Sequence, residues 1–117
     1  MVKIVAIITR LDGMDRHTFL RYWQQEHPPY VRRLAGLRRY VQSPALDGSK
    51  EWPYDGIAEL WFDSVRDVAA AFDGPDADAL REHEEHFIGN LQWFLTEETE
   101  VPVDMSAEKT ATQESAP

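Results

Sequence analysis

The chain contains no cysteine, so disulfides, thiolate nucleophiles and cysteine metal ligands are excluded, and nothing points to an oxidising compartment. A cytoplasmic address is the default expectation. Basic charge is scarce: 12 Lys and Arg stand against 21 Asp and Glu, a net charge of −9. Such a balance disfavours phosphate backbones, so nucleic acid is not an expected partner. Long apolar runs are missing too. The most apolar stretch, Met1 to Arg10, is too short to span a bilayer and has no small-residue cleavage site, so it reads as a strand and no membrane association is expected. No glycine-rich phosphate loop is visible, neither Ser43 nor Ser64 lies in a Gly-x-Ser-x-Gly elbow, and no His-Glu-x-x-His motif occurs. No cofactor and no metal is therefore expected, and the chemistry left to the chain is acid and base work by ordinary side chains.

The feature that invites such chemistry is the stretch from Phe19 to Tyr30. Phe19, Trp23 and His27 recur every four residues, so a helix from about Arg16 to Glu26, capped by Asp15, lines them along one apolar side. Pro28 and Pro29 end or bend that helix near Glu26 or His27. An imidazole with an ordinary pKa of about 6.5 thus sits at a helix end over the core. It is either a packed, hydrogen-bonded core residue or a proton-transfer group; spacing alone leaves both open. His83 and His86 share a helix flank at i, i+3 spacing, but they stand among Glu82, Glu84 and Glu85 and read as a charged, exposed flank, not a metal site. His17 reads as surface. Arg32, Arg33, Arg38 and Arg39 form a basic cluster that is either a solvated face or an attraction for an anionic small molecule. Of the neighbours Arg38 and Arg39, alternation along a strand lets only one face a pocket.

Val2 to Thr9 is apolar in both alternating sets, so this strand needs cover on both faces. After helix one, Tyr30, Val31 and Leu34 continue a short apolar stripe and Gly36 stops it. Leu37 to Gln42 reads as a second strand carrying Tyr40. The loop from Asp47 to Tyr54 holds Trp52 and Tyr54, which either cover a pocket or meet a partner. Asp55 to Phe62 is a third strand, with Ile57, Glu59 and Trp61 on one face and Ala58, Leu60 and Phe62 on the other. Asp63 or Ser64 caps a helix ending at Asp73-Gly74-Pro75, and Asp76 starts another with Ala77, Leu80, Glu84 and Phe87 on one side. Gly89-Asn90 reads as a turn into a last strand that reaches about Val101. The order β-α-β-β-α-β is the split βαβ signature of a ferredoxin-like α+β sandwich: a four-stranded antiparallel sheet with helices on one face. One domain, residues 2–101, is expected, followed by a tail, residues 102–117, too poor in apolar residues to order itself. The apolar second face of the sheet favours a homodimer.

The pattern Phe19-x-x-Tyr22-Trp23-x-x-x-His27-x-Pro29, followed by Gly36-Leu37-Arg38-Arg39-Tyr40, resembles the EthD family of dimeric ferredoxin-like proteins. The run His83-Glu-Glu-His-Phe87-Ile88-Gly89-Asn-Leu91 into Phe94-Leu95-Thr96-Glu97-Glu98 is similar to the methylmuconolactone isomerase branch, although that family often has an acidic residue where this chain has His83. The resemblance implies subunits paired sheet to sheet and cofactor-independent isomerisation, cyclisation or dehydration of a lactone, aromatic or polyketide-like compound. The alternative it implies is a non-catalytic accessory or binding protein of an oxygenase or degradation pathway. On the enzyme reading, His27 shuttles the proton and Tyr40 orients it or donates a hydrogen bond. Phe19, Trp23, Tyr30, Arg38, Glu59 and Trp61 are the expected substrate contacts, and a small hydrophobic or aromatic ligand is the expected partner besides a second copy of the chain.

Overall fold

The structure is a computed structural model that describes residues 1–104; most of the expected tail, residues 105–117, lies outside the described residues. Strand β1 (Val2–Arg10) leads into helix α1 (Arg16–Arg21), a π-helical turn (Tyr22–Glu26) and the single-turn helix α2 (Pro28–Val31). Strands β2 (Arg39–Pro44) and β3 (Gly56–Phe62) follow, then helices α3 (Val65–Ala71) and α4 (Pro75–Glu84) and strand β4 (Ile88–Thr96). All sheet pairs are antiparallel in the order β2-β3-β1-β4, the ferredoxin-like arrangement expected from the element order.

The caps fall where local chemistry puts them. Asp15 accepts a hydrogen bond from the Thr18 amide at 2.7 Å, and Ser64 Oγ accepts from the Asp67 amide at 3.1 Å, each satisfying a helix-start N–H. Gly36 and Gly74 turn the chain with φ of 81° and 131°. Pro75 opens α4 at a position that needs no amide hydrogen.

Several boundaries differ from the sequence expectation. Helix one is not one continuous α-helix: it widens at Tyr22 into a π turn, and the His27 amide donates to the Tyr22 carbonyl five residues back, at 2.8 Å. Strand two begins at Arg39 instead of Leu37, because the Leu37 amide closes a turn onto the Leu34 carbonyl while pairing with β3 carries the strand on to Pro44. Proline is tolerated there because β2 is an edge strand. Gly89-Asn90 is not a turn but part of β4, which ends at Thr96 and not near Val101. The register shifts there, opposite Thr9 and Arg10, and a Cβ on Gly89 would lie 2.7 Å from the Arg10 carbonyl oxygen, so close backbone approach is what requires glycine.

The core lies between the helices and one sheet face. Val2, Ile4, Ala6 and Ile8 of β1 alternate inwards with Ala58, Leu60 and Phe62 of β3, and meet Phe19, Trp23, Val31, Leu34, Val68, Ala77, Leu80 and Phe87. Lys3, Val5, Ile7, Ile57 and Glu59 point to the other face and are half-buried. Among the described residues no helix is long and apolar enough to cross a membrane.

Candidate active site

Under the helices lies a cavity of about 600 Å³, within the usual range for small-molecule sites. Its floor is the inward set of the sheet: Ile4, Ala6 and Ile8, Ala58 and Leu60, with Leu91, Trp93 and Leu95 of β4. Trp23, Val31, Val68, Phe72 and Leu80 form the walls. Trp93 and Val65 remain more than half exposed, which makes an apolar mouth. Against this apolar lining stand four polar side chains: His27, Tyr40, Glu84 and, at the surface, Arg81.

The π turn positions the first of these. In that turn the Trp23 carbonyl would accept from the residue five places on, which is Pro28 and has no N–H. Gln42 supplies the missing donor from β2: its Nε2 lies 2.6 Å from the Trp23 carbonyl oxygen and 2.6 Å from the Tyr40 hydroxyl. Because an amide nitrogen donates and cannot accept, Tyr40 must accept from Gln42, and its own proton is left to point elsewhere. Tyr40 and Gln42 are two apart and so share the inward face of β2. Burial pushes the Tyr40 phenol up to about 12, so it is a neutral donor across the physiological range. Gly56 completes the seat, since a Cβ there would lie 2.7 Å from the Trp23 ring.

His27 is 4% exposed, the one buried polar side chain in the core among the described residues. Its Nδ1 lies 2.9 Å from His83 Nδ1, and its Nε2 lies 3.9 Å from a Glu84 carboxyl oxygen. Phe87 meets its ring edge-on, at 5.1 Å between centroids. Desolvation, helped by the neighbouring His83, lowers its pKa to about 4, so the ring is neutral near pH 7. Glu84 moves the other way: burial raises its carboxyl to about 7, against a smaller lowering by Arg81. One wall of the cavity thus offers a neutral imidazole, a carboxyl that holds or releases its proton near neutrality, and a neutral phenol.

Of the residues singled out in the sequence, His27, Tyr40 and Trp23 line this cavity. Phe19 packs behind Trp23, at 5.4 Å between ring centroids, and is itself 1% exposed, so it supports the wall without forming it. Tyr30 lies outside and stacks on His83 at 4.4 Å. Glu59 and Trp61 are not part of the His27 pocket, because strand alternation sends them to the opposite sheet face. There Lys3 pairs with Glu59 at 2.5 Å, Arg39 lies over the Trp61 ring at 4.5 Å, and the indole N–H donates to Glu98 at 2.9 Å. Arg38 does not reach the cavity either. It stands at the surface, with its guanidinium 2.8 Å from Asp63. Trp52 and Tyr54 are exposed on their loop, away from the cavity, with the Trp52 indole donating to the Leu46 carbonyl. His83 is not a purely solvated flank residue: it is half-buried and bonded to His27. Glu84 is the residue that spacing had marked without giving it a role. An acid in the series Ala77, Leu80, Glu84, Phe87 on an apolar helix face was the available signal.

The fold and cavity define a ferredoxin-like α+β protein with an acid-base cluster under its helices. The chain belongs to the EthD family, whose EthD domain matches residues 11–90. It is 28% identical over 108 residues to a 4-carboxymethyl-4-methylbutenolide mutase of Pseudomonas reinekei, covering 84% of this chain and 98% of that one. The fold resembles that of an EthD family protein from Bacillus halodurans, with a TM-score of 0.73, 22% identity and coverage of 85% and 99% of the two chains. It also resembles a dimeric ferredoxin-like protein from Bacteroides fragilis, with a TM-score of 0.63, 11% identity and coverage of 82% and 94%.

Proposed function

We propose that this protein is a cofactor-independent enzyme that moves a proton within a lactone, aromatic or polyketide-like substrate, by isomerisation, cyclisation or dehydration. The observation that carries this reading is the convergence of His27, Tyr40 and Glu84 on one apolar cavity. His27 is neutral and can take a proton from carbon or oxygen. The Tyr40 hydroxyl, turned into a donor by Gln42, stabilises negative charge that develops on a substrate oxygen. Glu84 returns or removes a second proton near neutral pH. The apolar floor and Trp23 bind the body of the substrate and exclude water. The mutase relative, matched over nearly its whole length, supports lactone isomerisation within this class.

Purified protein is to be screened against lactones and aromatic polyketide intermediates, and the best substrate repeated with His27→Gln after its folding is verified. A loss of about 10²-fold or more in kcat is expected; turnover at the wild-type rate would refute the role given to His27. The second reading, a non-catalytic binding protein, is favoured if ligands bind in the cavity and none turns over. We further infer a homodimer through the open sheet face, where Val5, Ile7, Ile57 and the half-exposed Phe94 lie beyond the cover of the helices. Sedimentation tests this, and a monomer at micromolar concentration would refute it.

A further inference from the structure

Between the two facing nitrogens of His27 and His83 there is room for one proton and no more. The ring planes are within 13° of parallel and the centroids lie 5.1 Å apart while the nitrogens lie 2.9 Å apart, so the rings meet edge to edge, as an N–H···N bond requires. Neutral imidazole carries one N–H. If His83 Nδ1 donates, His27 keeps its proton on Nε2 and shows the cavity a donor. If His27 Nδ1 donates, its Nε2 shows the cavity a lone pair. In both arrangements one ring is protonated on Nδ1 and the other on Nε2, so the intrinsic preference of histidine for one tautomer cancels. What surrounds the pair decides, and the Glu84 carboxyl, 3.9 Å from His27 Nε2, is a group able to bias it.

We propose that His83 is a positioning residue that sets the tautomer of His27 and carries protons between His27 and solvent. The proposal rests on the reading of His27 as a proton-transfer group. Starting with His27 protonated on Nδ1 and His83 on Nε2, a proton taken from substrate at His27 Nε2 makes an imidazolium. That ring passes its Nδ1 proton to His83 Nδ1, and His83 releases its Nε2 proton to water. His27 is left neutral, with its N–H towards the cavity, ready for the return step. In that step it gives the Nε2 proton to substrate while taking back the shared proton, and His83 recovers a proton from water at Nε2. Every proton is accounted for and no co-reactant is needed. His83 suits this task by being half-buried, one ring edge inside and the rest towards solvent, and Tyr30 stacked on its face fixes its plane. Burial lowers the pKa of His83, His86 adds to that and Glu26 opposes it.

The test is a long-range ¹H–¹⁵N spectrum of protein carrying ¹⁵N-histidine, recorded at pH 8 without ligand, for the wild type and for His83→Phe, which keeps an aromatic ring against Tyr30. In the wild type, His27 and His83 are expected to show opposite tautomers, or reciprocal averaging between them. In the variant, the His27 nitrogens are expected to shift to the pattern of a single tautomer. The same tautomer on both wild-type rings would overturn the proposal, as would unchanged His27 nitrogens in the variant. If His83→Phe fails to fold, the wild-type spectrum alone decides. Because the readout needs no substrate, it stands or falls separately from any catalytic role of His27.

Discussion

Replacing Glu84 by glutamine is expected to change how stability depends on pH, in a direction opposite to the change from replacing His27. Glu84 is raised in the folded protein from 4.5 to about 7. The folded state therefore holds a proton that the unfolded chain releases, and this contribution is full below pH 4.5 and lost as pH rises through 7. His27 is lowered from 6.5 to about 4. Its contribution is full above pH 6.5 and lost as pH falls through 4. Each gap spans about 2.5 pH units, or about 3 kcal/mol at about 1.4 kcal/mol per unit. Between pH 4.5 and 6.5 the two slopes oppose and nearly cancel in the wild type. Urea unfolding followed by circular dichroism, at half-unit steps from pH 4 to 8, measures the difference in stability between variant and wild type. For Glu84→Gln that difference is expected to rise by about 3 kcal/mol from pH 4.5 to 7; for His27→Gln it is expected to fall by a similar amount from pH 4 to 6.5. Difference curves flat within about 0.5 kcal/mol would mean that both groups titrate as they do in water, and the account of the cavity as a desolvating site would be wrong.

Gln42→Leu leaves the Trp23 carbonyl without its donor and frees the Tyr40 hydroxyl; a loss of about 1–3 kcal/mol is expected in the same unfolding assay. Gly56→Ala forces a methyl group against the Trp23 ring and the Ser43 carbonyl, and thermal unfolding is expected to report about 1–3 kcal/mol of destabilisation; a neutral effect would mean the indole is free to move. Ser64→Ala removes the cap of α3 and is expected to cost about 1 kcal/mol, with no effect on ligand binding in the cavity.

The architecture was legible because its signals are local: alternation in β1 and β3, Asp15 and Ser64 as caps, and glycine and proline between elements. Of the cavity lining, the sequence pointed to the centre and not to the edges. His27 and Trp23 share a helix side with Phe19, and a strand in the right place brought in Tyr40. Glu59 and Trp61 were assigned to the same pocket because the sequence states that a strand has two faces but not which one the helices cover. Arg38 depended on the start of β2, which a turn at Leu37 delayed. The bond between His27 and His83 joins residues 56 apart, and only packing of α4 beside the π turn creates it. The π turn itself was hidden. On a straight α-helix, four-residue steps drift by about 40° each, so Phe19 and His27 would lie about 80° apart around the axis. A wider turn rotates less per residue and takes back part of that drift.

That wider turn amounts to one residue more than an α-helix needs, and it has a consequence for how the chain tolerates change in length. Deleting a single residue among Gln24, Gln25 and Glu26, all exposed, would let the segment close into ordinary α-helix with regular hydrogen bonds up to the proline. Local regularity would improve and the imidazole would keep roughly its direction, because the seven α-helical steps then left from Phe19 turn about 700°, within about 20° of two full turns. The Trp23 carbonyl would still face Pro28, now four places on, and would still take its hydrogen bond from Gln42. The wide turn is therefore where the chain takes up one residue without redirecting His27, and a single deletion there is expected to leave the cavity wall in place.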